Sequence, residues 1–241
     1  MLLPWRKGFV TNVFNETDDT RRYWIEVKEA DSFDFKAGQF VTLDLPIHEQ
    51  KNKRWRSYSI ASAPNSSNTF ELLIKRFEEG AGTSYLFDEV KKGSELSFRG
   101  PQGVFILPEK IERDIYFICT GTGVAPFKSM IDYIHHHQVN RKKVFLVYGC
   151  RKFTDTLYEN EFRQLEKEMN DFYYLPVFSR ETVTDNTRSG YVHDVYMNLI
   201  NKHQLPASFY LCGWKNMIDE ARLQLKNAGV DKKDIHFELY G

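Results

Sequence analysis

The sequence predicts a two-domain protein: an antiparallel six-stranded β-barrel over residues 1–108, then an α/β domain with a parallel five-stranded sheet over residues 109–241. Three observations predict it. The 241-residue length suits two domains of about 100–140 residues each. The first hundred residues hold only short strand-like runs separated by turn signals. After "EKIERD" (109–114) the pattern changes to strands alternating with helices.

In the first half the runs are "KGFVTNVFNE", "RRYWIEVKE", "GQFVTLDLP", "RSYSIAS", "FELLIKRF" and "ELSFRGP", divided by stretches such as "NETDDT", "KAG" and "APNSSN". Six short strands of this kind make a small barrel. In the second half the strands are "DIYFIC", "KVFLVYGC", "FYYLPVFS", "SFYLCG" and "IHFELY". Between them lie the helices "APFKSMIDYIHH", "DTLYENEFRQLEKEM", "HDVYMNLI" and "NMIDEARLQLKNAG". The first places Phe127, Met130, Ile131 and Ile134 on one face, and Gly229 suits the C-terminal cap of the last.

Composition narrows the function. Lysine plus arginine equals aspartate plus glutamate, so no global field attracts nucleic acid. No run reaches the ~20 apolar residues of a membrane span, and "MLLPWRKGFV" is not a secretory signal. Cys119, Cys150 and Cys212 have neither disulfide-framework nor metal-site spacing, which points to reduced thiols in the cytoplasm. The histidines of "HHH" (135–137) point in different directions and do not form a metal site.

Four stretches carry chemistry. "CTGTGVAPF" (119–127) joins a buried strand to a helix. Gly121 and Gly123, with Thr122 between them, let backbone approach a ligand, and the helix start favours a phosphate. An ordinary strand–helix turn has the same composition. Pro126 stands where a dinucleotide fingerprint has its third glycine, and the next strand ends in Arg151, not an acid. "EEGAGTSYLFDEV" (78–90) sets Gly82, Thr83 and Ser84 before a helix, as a phosphate loop or as a capped short helix. "RWRSYSIAS" (54–62) puts Arg56, Tyr58 and Ile60 on one strand face, able to grip an anion and pack on a ring, or simply to sit exposed at an edge. "VFSRETVTDNTRSGYV" (177–192) offers Ser179 and Arg180, suited to a 2′-phosphate, with Arg188 and Arg151 adding charge; a solvated basic loop reads the same way.

Taken together and in order, these motifs resemble the ferredoxin–NADP reductase superfamily. R-x-Y-S is matched by Arg56–Ser59, the glycine–serine phosphate loop by Gly82–Ser84, and G-T-G-x-A-P-F by Gly121–Phe127. The late C-G is matched by Cys212–Gly213 and the terminal E-x-Y by Glu238–Tyr240. The likeness spans nearly the whole chain and is nearest to ferredoxin–NADP reductases. It implies FAD and NADP(H), with NADP(H) favoured over NAD(H), and the two cofactors meeting between the domains. It also implies exchange of electrons with a ferredoxin or flavodoxin-like carrier.

By the same resemblance Arg56 neutralises the FAD pyrophosphate, helped by Thr83 and Ser84. Tyr58 packs on the isoalloxazine ring, Ser59 hydrogen-bonds near its N5, and Lys75 lies where the next strand passes the flavin. Thr122 and Cys212 line the nicotinamide site, with Cys212 an orienting group and not a nucleophile. Tyr191 meets the adenine, although Ser189–Gly190 replaces the lysine that precedes it in plant-type enzymes. Glu238 relays protons or orients nicotinamide, or is structural, and Tyr240 covers the flavin with Gly241 beyond it. The cationic run "EQKNKRWR" (49–56) could steer an acidic carrier. Two other functions fit: an NADH-using reductase of a multicomponent oxygenase, and a flavin- or nucleotide-sensing subunit without catalysis.

Overall fold

The computed structural model describes residues 3–181, 188–203 and 206–240. The chain divides into two compact units, Met1–Ile106 with Lys128–Tyr133, and Leu107–Phe127 with Ile134–Gly241.

The first unit is a six-stranded antiparallel sheet: β1 (Arg6–Thr17), β2 (Thr20–Glu26), β3 (Phe40–Asp44), β4 (Trp55–Ser59), β5 (Thr69–Lys75) and β6 (Glu95–Gln102). Helix α1 (Ala81–Asp88) lies between β5 and β6. The strand order is β4-β3-β6-β1-β2-β5. Alternation turns Tyr23 and Ile25 of β2 inward to meet Val41, Leu43, Phe70, Leu72 and Phe98 in one apolar core. Each such side chain contributes roughly 1.5–3 kcal/mol on burial. Phe33 packs into the same core, tilted against Phe70 and edge-on to Phe98, with ring centroids 5.0 and 5.6 Å away. The one buried carboxylate in the sheet, Glu71, is met by Arg22 at 2.7 Å.

The sheet curls but does not zip shut. Its end strands β4 and β5 are joined by a single bridge, Ile60 to Leu72, and by Ala61 N–H donating to the Glu71 carbonyl at 2.8 Å. Among the described residues no ladder pair continues from there between Trp55–Ser59 and Leu73–Lys75. The barrel therefore has a seam beside Tyr58 and Arg56.

The second unit contains β7 (Asp114–Thr120), the two ends of α2 (Ala125–His136), β8 (Val144–Cys150), α3 (Glu159–Glu168) and β9 (Phe172–Phe178). It continues with β10 (Arg188–Ser189), α4 (Val192–His203), β11 (Ala207–Trp214), α5 (Lys215–Asn227) and β12 (Ile235–Tyr240). All pairs are parallel, in the order β10-β9-β8-β7-β11-β12. The sheet has six strands instead of the five expected, because the two-residue β10 adds to the edge of β9. Both faces are apolar, as a covered parallel sheet requires. On one, Tyr116 is stacked between Phe145 and Phe209 at 4.7 and 5.0 Å, under α4 and α5. On the other, Phe127 of α2 stacks on Phe117 at 4.8 Å, and Phe162 of α3 meets Tyr174 at 5.3 Å.

One helix starts later than expected. The stretch read as helical from Asp155 opens with a 3₁₀ turn at Phe153–Asp155, and α3 follows Tyr158, a buried residue at φ +56°. Gly229, at φ +83°, follows the Ala228 cap of α5.

Candidate functional site

In the first unit the site is built on the seam. β4 pairs with β3 so that Arg56 lies opposite Leu43, Tyr58 opposite Val41 and Ser59 opposite Phe40. Ser57 faces the other way and shares a 3.0 Å hydrogen bond with the Thr42 hydroxyl. Tyr58 is half-buried and packs against the barrel core. That burial pushes its phenol well above the ordinary range, against the pull of the Arg56 guanidinium, so the ring stays neutral. Ser59 is buried, at 3% exposure.

Arg56 is fixed by its own neighbours: Nη1 donates to the carbonyls of Lys53 (3.1 Å) and Trp55 (2.8 Å). The first turn of α1 rests on it. A β-carbon on Gly82 would come within 3.0 Å of Arg56 Cγ and 3.2 Å of Nε, so glycine is what lets the helix approach. The carbonyl end of α1 is satisfied, by Tyr23 Oη donating to Leu86 O (2.9 Å) and Arg21 Nη1 to Phe87 O (2.7 Å). At the other end the amides of Ala81, Gly82 and Thr83 precede the first intrahelical bond, Ser84 N–H to Gly80 O. A guanidinium beside the amide end of a helix is a site for an anion.

Two expected contributors also have partners within the protein. The Thr83 hydroxyl closes its own turn: it accepts from Phe77 N at 3.1 Å and reaches the carbonyls of Gly80 (3.0 Å) and Phe77 (3.3 Å). What Thr83 presents at the helix start is its amide. Lys75 forms an ion pair with Asp19 in the β1–β2 turn. Burial alone would raise the Asp19 carboxyl, but Lys75 and the hydroxyls of Thr20 and Thr17 outweigh it and hold the group below its usual 3.8.

In the second unit the site lies at the C-terminal edge of the sheet, between β7 and β11. The chain leaves β7 toward β8 and β9 and returns to β11 on the opposite side, which is where doubly wound sheets open a crevice. The two loops there are in intimate contact. A β-carbon on Gly123 would lie 2.5 Å from the Cys212 carbonyl oxygen, and one on Gly213, at φ +136°, 2.4 Å from Thr120 Oγ1. Trp214 N–H reaches the same hydroxyl at 3.3 Å. Gly121, at φ +53°, has no neighbour where its β-carbon would be, so the turn there is open. Thr122 sits in that turn, and its carbonyl accepts from Ala125 N–H.

Register sets Cys212 opposite Glu238 and Trp214 opposite Tyr240. Cys212, Glu238 and Tyr240 therefore share one face. Burial raises the Cys212 thiol well above its ordinary value, with Glu238 and Cys119 adding to the rise and a hydrogen bond from Tyr240 opposing it. The thiol is protonated near neutral pH and is no nucleophile. Gly241 lies outside the described residues.

Farther along the edge, backbone bonds stitch two loops together: Ser179 N–H to Cys150 O (3.1 Å) and Arg180 N–H to Arg151 O (2.9 Å). β10 then places Arg188 opposite Val177. Gly190, at φ +112°, donates to Phe178 O at 3.0 Å and turns the chain to Tyr191, which is 68% exposed. Arg151, Ser179, Arg180, Arg188 and Tyr191 thus gather at the ends of β8, β9 and β10, all exposed. Residues 182–187 of this loop lie outside the described residues.

Sequence reasoning missed Trp214, an exposed aromatic on the crevice loop, although its place directly after Cys212–Gly213 was a usable signal. It also missed Tyr23 and Arg21, which hold α1 from behind. Nothing local in β2 shows that its side chains reach a helix sixty residues away.

Comparison with known proteins matches both units. Residues 8–106 fit an oxidoreductase FAD-binding domain family, and residues 117–223 an oxidoreductase NAD-binding domain family. A ferredoxin–NADP reductase B of Sorangium cellulosum is 32% identical over 226 residues, covering 91% of this chain and 91% of the relative. The anthranilate 1,2-dioxygenase electron transfer component of Acinetobacter baylyi is 31% identical over 210 residues, but the match covers 86% of this chain and only 58% of the relative. The solved Amycolatopsis cytochrome P450 reductase GcoB superimposes with a TM-score of 0.86 at 28% identity, covering 98% of this chain and 70% of that one.

Proposed function

Because the chain belongs to the ferredoxin–NADP reductase type of FAD- and NAD(P)-binding oxidoreductases, we propose that it is an FAD-dependent NADPH oxidoreductase. Its partner is a small one-electron carrier of the ferredoxin or flavodoxin kind. One observation supports the reading: in the first unit Arg56 lies against Gly82 beside the amide end of α1, and in the second Gly123 and Gly213 bring the ends of β7 and β11 into close contact.

The residues fit FAD. Gly82 leaves the space that lets α1 aim its amides beside Arg56, and the seam leaves one edge of β4 without a ladder partner. FAD, when bound, accepts electrons in a pair from a reduced nicotinamide and releases them singly. Arg56 and the α1 amides balance the charge of its pyrophosphate. Tyr58 gives the ring a flat apolar wall, and Ser59 hydrogen-bonds its N5 edge. In the second unit Thr122, Cys212 and Glu238 orient the nicotinamide, with Tyr240 on the same face as Cys212 and Glu238. Ser179, Arg180, Arg151 and Arg188 bind a 2′-phosphate, and Tyr191 packs on the adenine, which favours NADPH over NADH. Three free cysteines suit a cytoplasmic setting. Among the described residues no helix is long and apolar enough to cross a membrane.

A second reading is an NADH-using reductase component of an oxygenase, supported by the anthranilate dioxygenase relative. Anaerobic stopped-flow mixing of the FAD-loaded protein with NADPH or NADH separates the two. Faster flavin bleaching with NADPH at equal low concentration supports the first reading, and faster bleaching with NADH the second. A bound flavin that neither nucleotide reduces overturns both in favour of a sensing subunit.

A further inference from the structure

Four side chains close a hydrogen-bonded ring between α4 and α5. α4 begins directly after Arg188–Tyr191, and α5 directly after Cys212–Trp214. His193 Nδ1 lies 3.0 Å from Tyr196 Oη, which lies 3.0 Å from Gln224 Oε1. Gln224 Nε2 donates to Glu220 Oε1 at 3.0 Å, and Glu220 Oε2 returns to His193 Nε2 at 3.3 Å. The spacings 193/196 and 220/224 are those of neighbours on one helix face. Tyr196 is also part of the apolar core beneath.

The protons of this ring can be assigned one by one. A carboxylate only accepts, so Gln224 must turn its NH₂ to Glu220 and its carbonyl oxygen to Tyr196. Tyr196 has one proton, and it goes to that oxygen. Its own oxygen then accepts, which requires a proton on His193 Nδ1. The contact with Glu220 requires a second, on Nε2. All four bonds form only when His193 is an imidazolium; a neutral ring leaves one contact without a proton. Burial lowers the histidine from its ordinary 6.5, and the charged groups facing it, Glu220 from α5 and Asp194 from α4, pull the other way without overcoming that. The ring is therefore incomplete at neutral pH and completes on acidification.

We propose that His193 is a positioning residue: its protonation closes the ring, fixes the first turn of α4 against α5, and so presets Arg188 and Tyr191 for the nucleotide. This rests on reading the adjoining sheet edge as the nucleotide site. A preset site binds more tightly, and linkage makes the effect reciprocal, so bound nucleotide must raise the pH at which His193 titrates. One net hydrogen bond corresponds to about threefold to tenfold in affinity, which is about half to one pH unit in that midpoint.

The test follows the His193 imidazole by NMR on the full chain from pH 5 to 8.5, alone and with saturating NADP⁺ or NAD⁺, with His193→Gln providing the assignment. Expected are a rise of about half to one unit with either nucleotide, a lower midpoint in free Tyr196→Phe, and no nucleotide-induced rise in that variant. Gln224→Met serves the same purpose if Tyr196→Phe does not fold. Nucleotide binding without movement of the midpoint overturns the inference and leaves the proposed function standing, as does a midpoint unchanged by both variants. Spectra unaffected by any nucleotide overturn both.

Discussion

Gly213 lies directly against the Thr120 hydroxyl: a β-carbon there would sit 2.4 Å from Oγ1. Together with Gly123 on the Cys212 carbonyl, this locks the ends of β7 and β11 into one unit. The three atoms nearest the Gly123 position are all backbone, namely Cys212 O at 2.5 Å, Cys212 C at 2.7 Å and Gly213 Cα at 2.8 Å, and none of these can swing aside. Gly123→Ala is expected to cost about 1–3 kcal/mol in urea unfolding of the second unit. The KM for NADPH should rise with it while FAD content is unchanged. An unaltered urea midpoint would mean that the two loops do not hold each other.

Arg56 and Gly82 make the corresponding contact in the first unit. Arg56→Ala removes the cation beside the α1 amides, and a charge-assisted bond of about 1.5–3 kcal/mol corresponds to roughly ten- to a hundredfold weaker FAD retention. Gly82→Val should weaken retention similarly by pushing α1 away. Ultrafiltration and measurement of released flavin report both; full retention by either variant counts against the cradle.

Arg180→Ala distinguishes the nucleotides. Loss of a guanidinium from the group proposed to bind a 2′-phosphate should raise the KM for NADPH about tenfold or more and hardly change that for NADH. Steady-state kinetics with both nucleotides decide it, since equal rises would remove the 2′-phosphate role.

Lys75→Met separates an ion pair from a flavin contact. The folded-state Asp19 carboxyl is held below 3.8 chiefly by Lys75 acting against burial. Its contribution to stability is thus present above pH 3.8 and is lost as pH falls through the lowered folded value. The variant should be less stable than the parent near pH 7, and the gap should close in acid. If FAD retention falls as well, Lys75 also serves the flavin.

Strand alternation made the barrel legible, and the glycines marked the turns where segments approach closely. What escaped depends on contacts between distant segments. β10 has two residues, too few for any period, and exists only because β9 offers an edge. The onset of α3 was obscured because "DTLY" suits a helix, while buried Tyr158 holds a left-handed φ of +56° that sequence does not announce. The bond from the Thr83 hydroxyl to the Gly80 carbonyl was not legible, because it depends on the turn that opens α1. The ion pair of Lys75 with Asp19 was likewise out of view, because only the β1–β2 turn brings Asp19 to it. The histidine ring was invisible because each half is an ordinary helical pair, and only α4 packing on α5 joins them.

The single rung between Ile60 and Leu72 bears on how cofactor loading can be followed. Amides bonded in a ladder are sheltered from solvent deuterium, whereas among the described residues no β4–β5 ladder covers the edges that face the seam beyond Ile60. Peptides spanning residues 55–59 and 73–75 should exchange fastest within the sheet of the flavin-free protein, and adding FAD should slow them ahead of any change in the core around Phe70 and Phe98. The missing rungs then make this stretch of backbone a built-in gauge of occupancy, readable by mass without the flavin's colour.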